Sequence, residues 1–332
     1  MKQSIAVVIL NWNGTELLKQ FLPSVVECSS EATVYLADNA STDGSVDYVK
    51  NNFPSVKIIQ NTVNGGYAKG YNDALTNLSE DIFILLNSDV LVTPNWLQPI
   101  STIFNENTLA AAVQPKILDH KKPEYFEYAG AAGGFIDKFA YPYCRGRIFD
   151  NLEKDLGQYD DEIEIFWASG ACLAIRSEVY NEIGKLDEDY FSHQEEIDLC
   201  WRLNNYGYKV LYTPRSVVYH VGGATLETID PKKTYYNFRN SLFNILKNVP
   251  TNKLFLVLIL RMKLDGIAAF KFLFELKLKH FAAVFQAHMS FYKNLNKFIK
   301  KRKKIPKKEN YYSKISVVCR NYGLGQKKFS DL

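Results

Sequence analysis

Apolar and polar positions along the first 115 residues switch repeatedly between two periods. Ile5–Leu10 is a short apolar, β-rich run, and Thr15–Val26 repeats its apolar residues at helical spacing. Thr33–Ala37, Val56–Ile59 and Ile82–Leu86 read as further strands, and Val46–Asn52 and Tyr67–Leu78 as helices. Pro94 fits the first turn of another helix, and Ala110–Val113 another strand. This βαβα order argues for a doubly wound parallel sheet. The unbroken run Ile82-Phe83-Ile84-Leu85-Leu86 reads as a strand buried on both faces, and it stops at Asn87-Ser88-Asp89. Ligands of open α/β sheets bind beyond the carboxyl ends of the strands, so Asp89 stands where a metal or a phosphate-bearing ligand would be held. The same triplet also reads as a plain strand-end turn.

The pattern loosens from about Lys116 to Ile163, which is rich in Gly, Tyr and Asp and holds Gly130-Ala131-Ala132-Gly133-Gly134. That stretch reads as loops and short strands over the site. Ile165–Ser169 and Ala171–Arg176 look like strands broken at Gly170, and Ser177 caps a helix running to Gly184. Gln194–Tyr206 reads as a helix ending at Gly207, and Val210–Tyr212 and Val217–His220 as two short strands. Beyond them, Leu254–Leu260 is uniformly apolar but too short to span a bilayer, and apolar residues continue at helical spacing to Phe285 before the run Lys300–Lys304.

Composition adds an asymmetry. The net charge is only +4. Residues from Thr251 onward carry 19 Lys and Arg against 4 Asp and Glu, while residues 1–250 carry 21 against 32. An acidic body with a basic, amphipathic tail fits a catalytic domain at an anionic membrane surface, with a helical extension packed on the domain as the plainer reading. The acidic body and the lack of a recognition motif argue against nucleic acid. Five scattered cysteines without metal-ligand spacing fit a reducing cytosol, and the opening Met1-Lys2-Gln3-Ser4 has no signal-peptide pattern.

Four further segments carry candidate chemistry. Asp38 ends the second strand, where a carboxylate can accept hydrogen bonds from a base or ribose, and Asp43 or Ser45 can cap the next helix. Asn64-Gly65-Gly66-Tyr67-Ala68-Lys69-Gly70-Tyr71-Asn72 is a Gly-rich approach to a helix N-terminus, a place that favours phosphate, although it is not a Walker A loop. Glu195, Glu196 and Asp198 crowd three carboxylates into four positions, with Glu195 and Asp198 on one helix face. His220 ends an apolar strand before Gly222-Gly223, and gains interest if Asp89 holds a metal.

In this order the segments resemble the family-2 glycosyltransferases of the GT-A fold, and within them the rhamnosyltransferase-like bacterial enzymes of cell-surface polysaccharide synthesis. The resemblance covers about residues 4–245 and rests on Val8 to Gly14, Asp38 to Ser45, Asn64 to Asn72 with Leu86 to Asp89, and Ser169 through Arg202 to His220. It implies an α/β chain with a Rossmann-like doubly wound mixed sheet. The GT-A domain would occupy residues 1–248, with a nucleotide-sugar half to about 115, an acceptor half from 116, and a helical extension over 249–332. It implies a dTDP-, UDP- or GDP-sugar donor, a glycan or lipid-linked saccharide acceptor, and a divalent cation, Mg²⁺ or Mn²⁺. Asn87-Ser88-Asp89 falls at the family's DxD motif, with Asp89 as the metal ligand and His220 matching a second one. Asn11, Asp38, Asn39, Gly65, Gly66, Lys69, Asn72, Asn87 and Ser88 would bind the nucleotide sugar. Gly170, Asp198 and Arg202 would lie on the acceptor side. Glu195-Glu196-Ile197-Asp198 matches the catalytic motif, with Glu196 as the expected base and Glu195 as the other candidate. The implied reaction is a single displacement with inversion, at the inner face of the cytoplasmic membrane. A non-catalytic nucleotide-sugar or glycan binder, and a nucleotidyltransferase, are the competing readings. The second usually needs a Gly-rich, basic loop where Asn11-Trp12-Asn13-Gly14 stands.

Overall fold

The structure is a computed structural model that describes residues 3–222 and 230–332. Gly223 and the opening Met1-Lys2 lie outside the described residues.

The expected alternation is present. β1 (Ile5–Asn11), α1 (Thr15–Cys28), β2 (Thr33–Asp38), α2 (Ser45–Asn52), β3 (Lys57–Gln60), α3 (Gly66–Leu75) and β4 (Ile82–Asn87) follow one another, with β1 parallel to both β2 and β4 and β2 parallel to β3. β4 is buried from Ile82 to Leu86. Its side chains alternate between two cores: Phe83 and Leu85 join one, and Ile82, Ile84 and Leu86 the other. A strand with solvent on neither face explains the unbroken apolar run.

Beyond Asp89 the sheet turns mixed. β5 (Val90–Val92), α4 (Leu97–Glu106) and β6 (Ala110–Asp119) come next. The helix after Pro94 begins only at Leu97, because Thr93 to Trp96 form a turn whose Thr93 hydroxyl donates to Val217 O (2.8 Å). The loose region holds a small antiparallel sheet of β7 (Gly134–Ile136), β8 (Pro142–Cys144), β9 (Arg147–Ile148) and β10 (Asn151–Leu152). β12 (Cys172–Arg176) matches the expected Ala171–Arg176 to within a residue, but β11 (Ile163–Ile165) ends where the strand expected over Ile165–Ser169 would begin, and the chain between them is irregular. Ser177 opens α5 (Ser177–Glu182) without a side-chain cap.

α6 (Glu195–Tyr206) ends at Gly207, whose φ of +89° is the left-handed turn that favours glycine at a helix end. The two short strands predicted around residues 210–220 are one strand, β13 (Lys209–His220), with a register shift between Thr213 and Val217. Pro214 lies within that shift, which the sheet absorbs as a bulge. Among the described residues the large sheet has nine strands, in the order β11-β13-β6-β12-β4-β1-β2-β3 with β5 on β13. β12 runs antiparallel to β4 and β6, so the sheet is mixed.

Three long helices follow: α7 (Pro231–Asn248), α8 (Thr251–Phe274) and α9 (Leu278–Arg302). Asp230 caps α7, and Pro231 sits at its first turn, where no N–H is missed. α9 lies along α7, with the Phe243 and Phe298 rings stacked 3.7 Å apart. The last segment returns to the small sheet, where the Val317 N–H donates to Asp137 Oδ2 (2.9 Å) and Phe329 packs on Phe135 and Tyr143. No helix among the described residues is long and apolar enough to cross a membrane.

Candidate active site

The parallel strands β1, β2 and β4 deliver their polar ends to one edge of the sheet. β1 and β2 pair in register through Asn11 and Asp38, so both leave the core at the same level. Asn11 Nδ2 donates to Asp38 Oδ1 (3.1 Å) and to Ser41 Oγ (3.1 Å), and Asp38 Oδ2 accepts the Ser41 N–H (2.9 Å). Asn11 Oδ1 is buried with no partner. Such an orphan costs about 1–3 kcal/mol and marks a place for a ligand donor. Asp43 accepts the N–H groups of Thr15 (2.9 Å) and Ser45 (3.1 Å), tying α1 to α2, while Gly44 takes the N-cap position itself.

The Gly-rich segment is filled by protein. Asn39 Nδ2 donates to Asn64 Oδ1 (3.2 Å) and Gly66 O (3.0 Å), and Asn39 Oδ1 accepts from Asn61 (3.0 Å). Gly66 has φ +77°, and a Cβ there would run into the Phe191 carbonyl, which accepts the Tyr67 N–H (2.8 Å). Gly65 packs on the Lys69 stem, and Lys69 pairs with Asp73 (2.9 Å). Asn72 donates to Leu186 O (2.9 Å) and Glu188 Oε1 (3.0 Å) and accepts from the Tyr180 hydroxyl (2.6 Å). Of the residues expected to bind the nucleotide sugar, Asn39, Gly66 and Asn72 therefore have internal partners, and Lys69 has an ionic one.

Asp89 and His220 are brought together because the chain turns after Asp89 and pairs β5 with β13, opposing Val90 to His220. His220 Nε2 lies 3.1 Å from Asp89 Oδ1, with both residues buried. On the other side of the ring, Glu127 Oε1 lies 3.1 Å from His220 Nδ1, too far off the N–H axis for a good hydrogen bond. Glu127 Oε2 accepts the Ala129 N–H (2.5 Å). Burial alone would lower the His220 pKa, but the two carboxylates outweigh it and raise it to about 10. Glu127 escapes the sequence because it lies in the irregular stretch, with no periodicity to place it. Asn87 and Ser88 lead into this corner, with the Asn87 N–H donating to Ala171 O (3.0 Å).

The acids of α6 divide. Glu195 is buried with Oε2 unpartnered, and neither Glu195 nor Glu196 forms an ion pair among the described residues. Burial, then the charge of Glu196, raises the Glu195 pKa. Burial pushes Glu196 up to about 7 against the opposing pull of backbone N–H groups in the first turn. Asp198, by contrast, accepts from Arg202 Nε (2.8 Å), Lys247 Nζ (2.8 Å) and Asn248 Nδ2 (3.0 Å). Burial would raise its pKa, but Lys247 and Arg202 hold it low. Arg202 also donates to Ile183 O (2.7 Å) and Lys185 O (2.6 Å). The two residues expected on the acceptor side, Asp198 and Arg202, thus sit in an internal network, while Gly170 O accepts the Tyr67 hydroxyl (2.8 Å).

The loop before Glu195 is strained. Phe191, His193 and Gln194 have φ of 65°, 68° and 72°, and none is glycine. α7 holds it in place. Asn240 Nδ2 donates to the carbonyls of Tyr190 (3.2 Å), Ser192 (2.9 Å) and His193 (2.7 Å), and Arg239 donates to Asp189 O (3.1 Å) and Tyr190 O (2.9 Å). Burial and then the charge of Lys233 lower the His193 pKa to about 4. Arg239, Asn240 and Lys233 carry no sequence signal, since their targets are backbone atoms and charges some forty or more residues away. Two surface hollows, one lined by Arg145, Tyr159 and Phe329 and one by Trp201, Asn204 and Tyr311, include none of the site residues.

A mixed sheet of this order, with polar side chains gathered at the ends of its parallel strands, has the architecture of the GT-A fold. The family model described as "Glycosyltransferase like family 2" matches residues 2–234, and the chain belongs to that family. It is 26% identical over 235 residues to an N-acetylglucosaminyl-diphospho-decaprenol L-rhamnosyltransferase of Mycobacterium tuberculosis, covering 66% of this chain and 76% of that one. It is 22% identical over 263 residues to the dTDP-rhamnosyl transferase RfbF of Shigella flexneri, covering 75% and 82%. In fold it is similar to the mannosyltransferase PcManGT of Pyrobaculum calidifontis, solved with GDP-Man and Mn²⁺ (TM-score 0.54, 13% identity, 88% of each chain). It is also similar to GalNAc-T7, solved with UDP, GalNAc and Mn²⁺ (TM-score 0.57, 16% identity, 76% of this chain and 49% of that one).

Proposed function

We propose that this protein is an inverting glycosyltransferase. It moves a sugar from a nucleotide-diphosphate sugar to a hydroxyl of a glycan or lipid-linked saccharide in cell-surface polysaccharide synthesis, at the inner face of the cytoplasmic membrane. The names of the mycobacterial and Shigella relatives support a rhamnosyl donor and a lipid-diphosphate acceptor as the first to try. One observation carries the reading: Glu195 and Glu196 lack the ion pairs that saturate Asp198 on the same helix.

Like charges this close keep a proton on one of the two acids near neutrality, so the pair can take a proton from an acceptor hydroxyl while the new C–O bond forms. Glu196 is the proposed base and Glu195 its neighbour in that proton exchange. Asn11 and Asp38 would hold the nucleoside, with the orphaned Asn11 Oδ1 accepting from it. Asn87 and Ser88 line the path to the leaving group.

Asp89 would hold Mg²⁺ or Mn²⁺, and His220 would join it by giving up the proton that Asp89 and Glu127 otherwise keep on its ring. A buried carboxylate and imidazole face each other, and no group of three His, Cys, Asp or Glu that could hold a metal occurs among the described residues. That leaves the remaining positions of the shell to diphosphate oxygens. When bound, the ion neutralises charge on the departing diphosphate. Asp89→Ala should abolish release of nucleoside diphosphate from a nucleotide sugar and weaken Mn²⁺ binding measured directly by electron paramagnetic resonance. Unchanged turnover would sink the metal role, and pyrophosphate as the product would turn the reading to a nucleotidyltransferase.

A further inference from the structure

α8 carries apolar residues on more faces than the protein covers. Val257, Arg261, Asp265 and Ala269, four residues apart, face inward. Arg261 pairs with Asp265 (2.8 Å), donates to Ala140 O (3.1 Å) and stacks on Tyr141. Outward, Ile267, Phe270 and Phe274 follow at helical spacing and stand exposed, and the exposure continues through Leu276, Leu278 and Phe285 at the turn into α9. Phe274 and Leu276 are 83% and 84% exposed, more than a water-facing turn gains anything from.

Leu276 also takes φ +58° at the end of α8, where a glycine or asparagine would ordinarily be used. A leucine held at conformational cost and left in solvent points to an apolar medium that receives it. Lys263, Lys271, Lys277 and Lys279 surround these side chains, and the exposed acid among them, Glu275, is bound by Lys271 (3.8 Å) and Lys277 (2.7 Å).

The place of this apex in the fold adds a reason. The His280 ring meets the Thr234 hydroxyl (2.8 Å) on the first turn of α7. One turn further on, the Asn237 side chain reaches Gln194 (3.5 Å), and the Tyr236 ring stacks on Phe191. Through the first turns of α7 the apex is therefore linked to the loop that leads into Glu195 and Glu196. The basic run at the end of α9, by comparison, is partly spent on the protein: Lys301 pairs with Asp187 and Asp189, and Arg302 donates to Leu246 O (2.9 Å) and Val249 O (2.6 Å).

We infer that the α8–α9 apex is the membrane-docking element. Phe270, Phe274, Leu276 and Leu278 enter the headgroup boundary of an anionic phospholipid bilayer, the net positive charge that Lys263, Lys271, Lys277 and Lys279 keep after Glu275 is paired faces its phosphates, and the loop before Glu195 is held near the lipid surface. This rests on the proposed action at a membrane and names the surface that performs it.

The test is flotation of the full-length protein with phosphatidylglycerol/phosphatidylethanolamine vesicles and with phosphatidylcholine vesicles. Wild type floats with the anionic vesicles and far less with the zwitterionic ones. Phe274→Glu/Leu276→Glu lowers the bound fraction at least about tenfold, because it removes two apolar anchors and adds two charges that anionic lipid repels. The melting temperature of that variant and its release of nucleoside diphosphate with a water-soluble acceptor stay at the wild-type level. Lys303→Gln/Lys304→Gln loses no more than about twofold, since those lysines lie away from the apex. An apex variant that floats like wild type overturns the inference. So does a lipid-free wild-type dimer that the apex substitutions make monomeric, because a second copy then covers this face. Flotation that depends on the apex supports the docking element even where the donor assay reads nothing, so its failure is distinct from failure of the glycosyltransferase reading.

Discussion

The first turn of α6 carries acids with opposite fates. Asp198 is fully buried and saturated by Arg202, Lys247 and Asn248. Glu195, three residues earlier and also buried, leaves an oxygen with no partner and faces the charge of Glu196, whose own pKa is raised by burial. Packing three carboxylates into four positions is costly, and the fold resolves it unequally. One acid is neutralised to anchor the helix, which leaves the other two poised to exchange protons. Saturation marks structure and its absence marks chemistry, although the residue types are nearly the same.

The comparison breaks first at Glu196. Glu196→Gln is expected to lower kcat by about 10²–10⁴ with little change in donor affinity, read by steady-state kinetics and calorimetry. If Glu195→Gln takes the larger loss instead, the two acids exchange roles and the comparison stands. If neither loses activity, the pair is not the base.

Asp198→Asn should cost about 3–5 kcal/mol of stability, because it leaves Lys247 and Arg202 buried without their counter-charge, and denaturant unfolding measures that. A variant of wild-type stability would remove the distinction between the two sites.

The pH behaviour sharpens the contrast. Burial raises Glu196 to about 7, so activity should climb with pH through about 7 as the base loses its proton, and this limb should vanish in Glu196→Gln. Stability runs oppositely for the two sites. The pKa of Glu196 is raised in the fold, so its contribution to stability falls as pH rises from the ordinary carboxylate range toward 7. The pKa of Asp198 is depressed, so its contribution is present above the ordinary range and is lost only in acid.

The smallest effect is a gain. Glu195→Gln spares the fold the cost of burying and protonating a carboxyl and should raise stability by about 1 kcal/mol at neutral pH, seen as a higher Tm, while activity falls.

The sequence shows the first 115 residues well because β1, β2 and β4 are buried on both faces and the helices between them on one. Periodicity therefore places β1 to β4 to within a residue or two. It also shows Asp89, Asp38 and the acidic triplet, because a polar residue after an apolar strand is conspicuous. The small sheet from β7 to β10 escapes, since strands of two or three residues have no period to read. Glu127 and the Arg239–Asn240 clamp escape for another reason: each acts on atoms far along the chain, and only the folded register of β5, β13 and α7 brings them there. The division between Glu195–Glu196 and Asp198 is equally invisible in the sequence, because the cations that settle it are Arg202 on the same helix and Lys247 on another.

The contact between Gly66 and the Phe191 carbonyl has a thermodynamic consequence. It joins α3 to the strained loop before Glu195, with no side chain on residue 66 to cushion the two. A free-energy change that donor binding imposes on one is felt by the other, and reciprocity requires acceptor binding to return the same amount. Under the proposed function, the nucleotide sugar and the acceptor would then change each other's affinity by one common factor, whichever binds first.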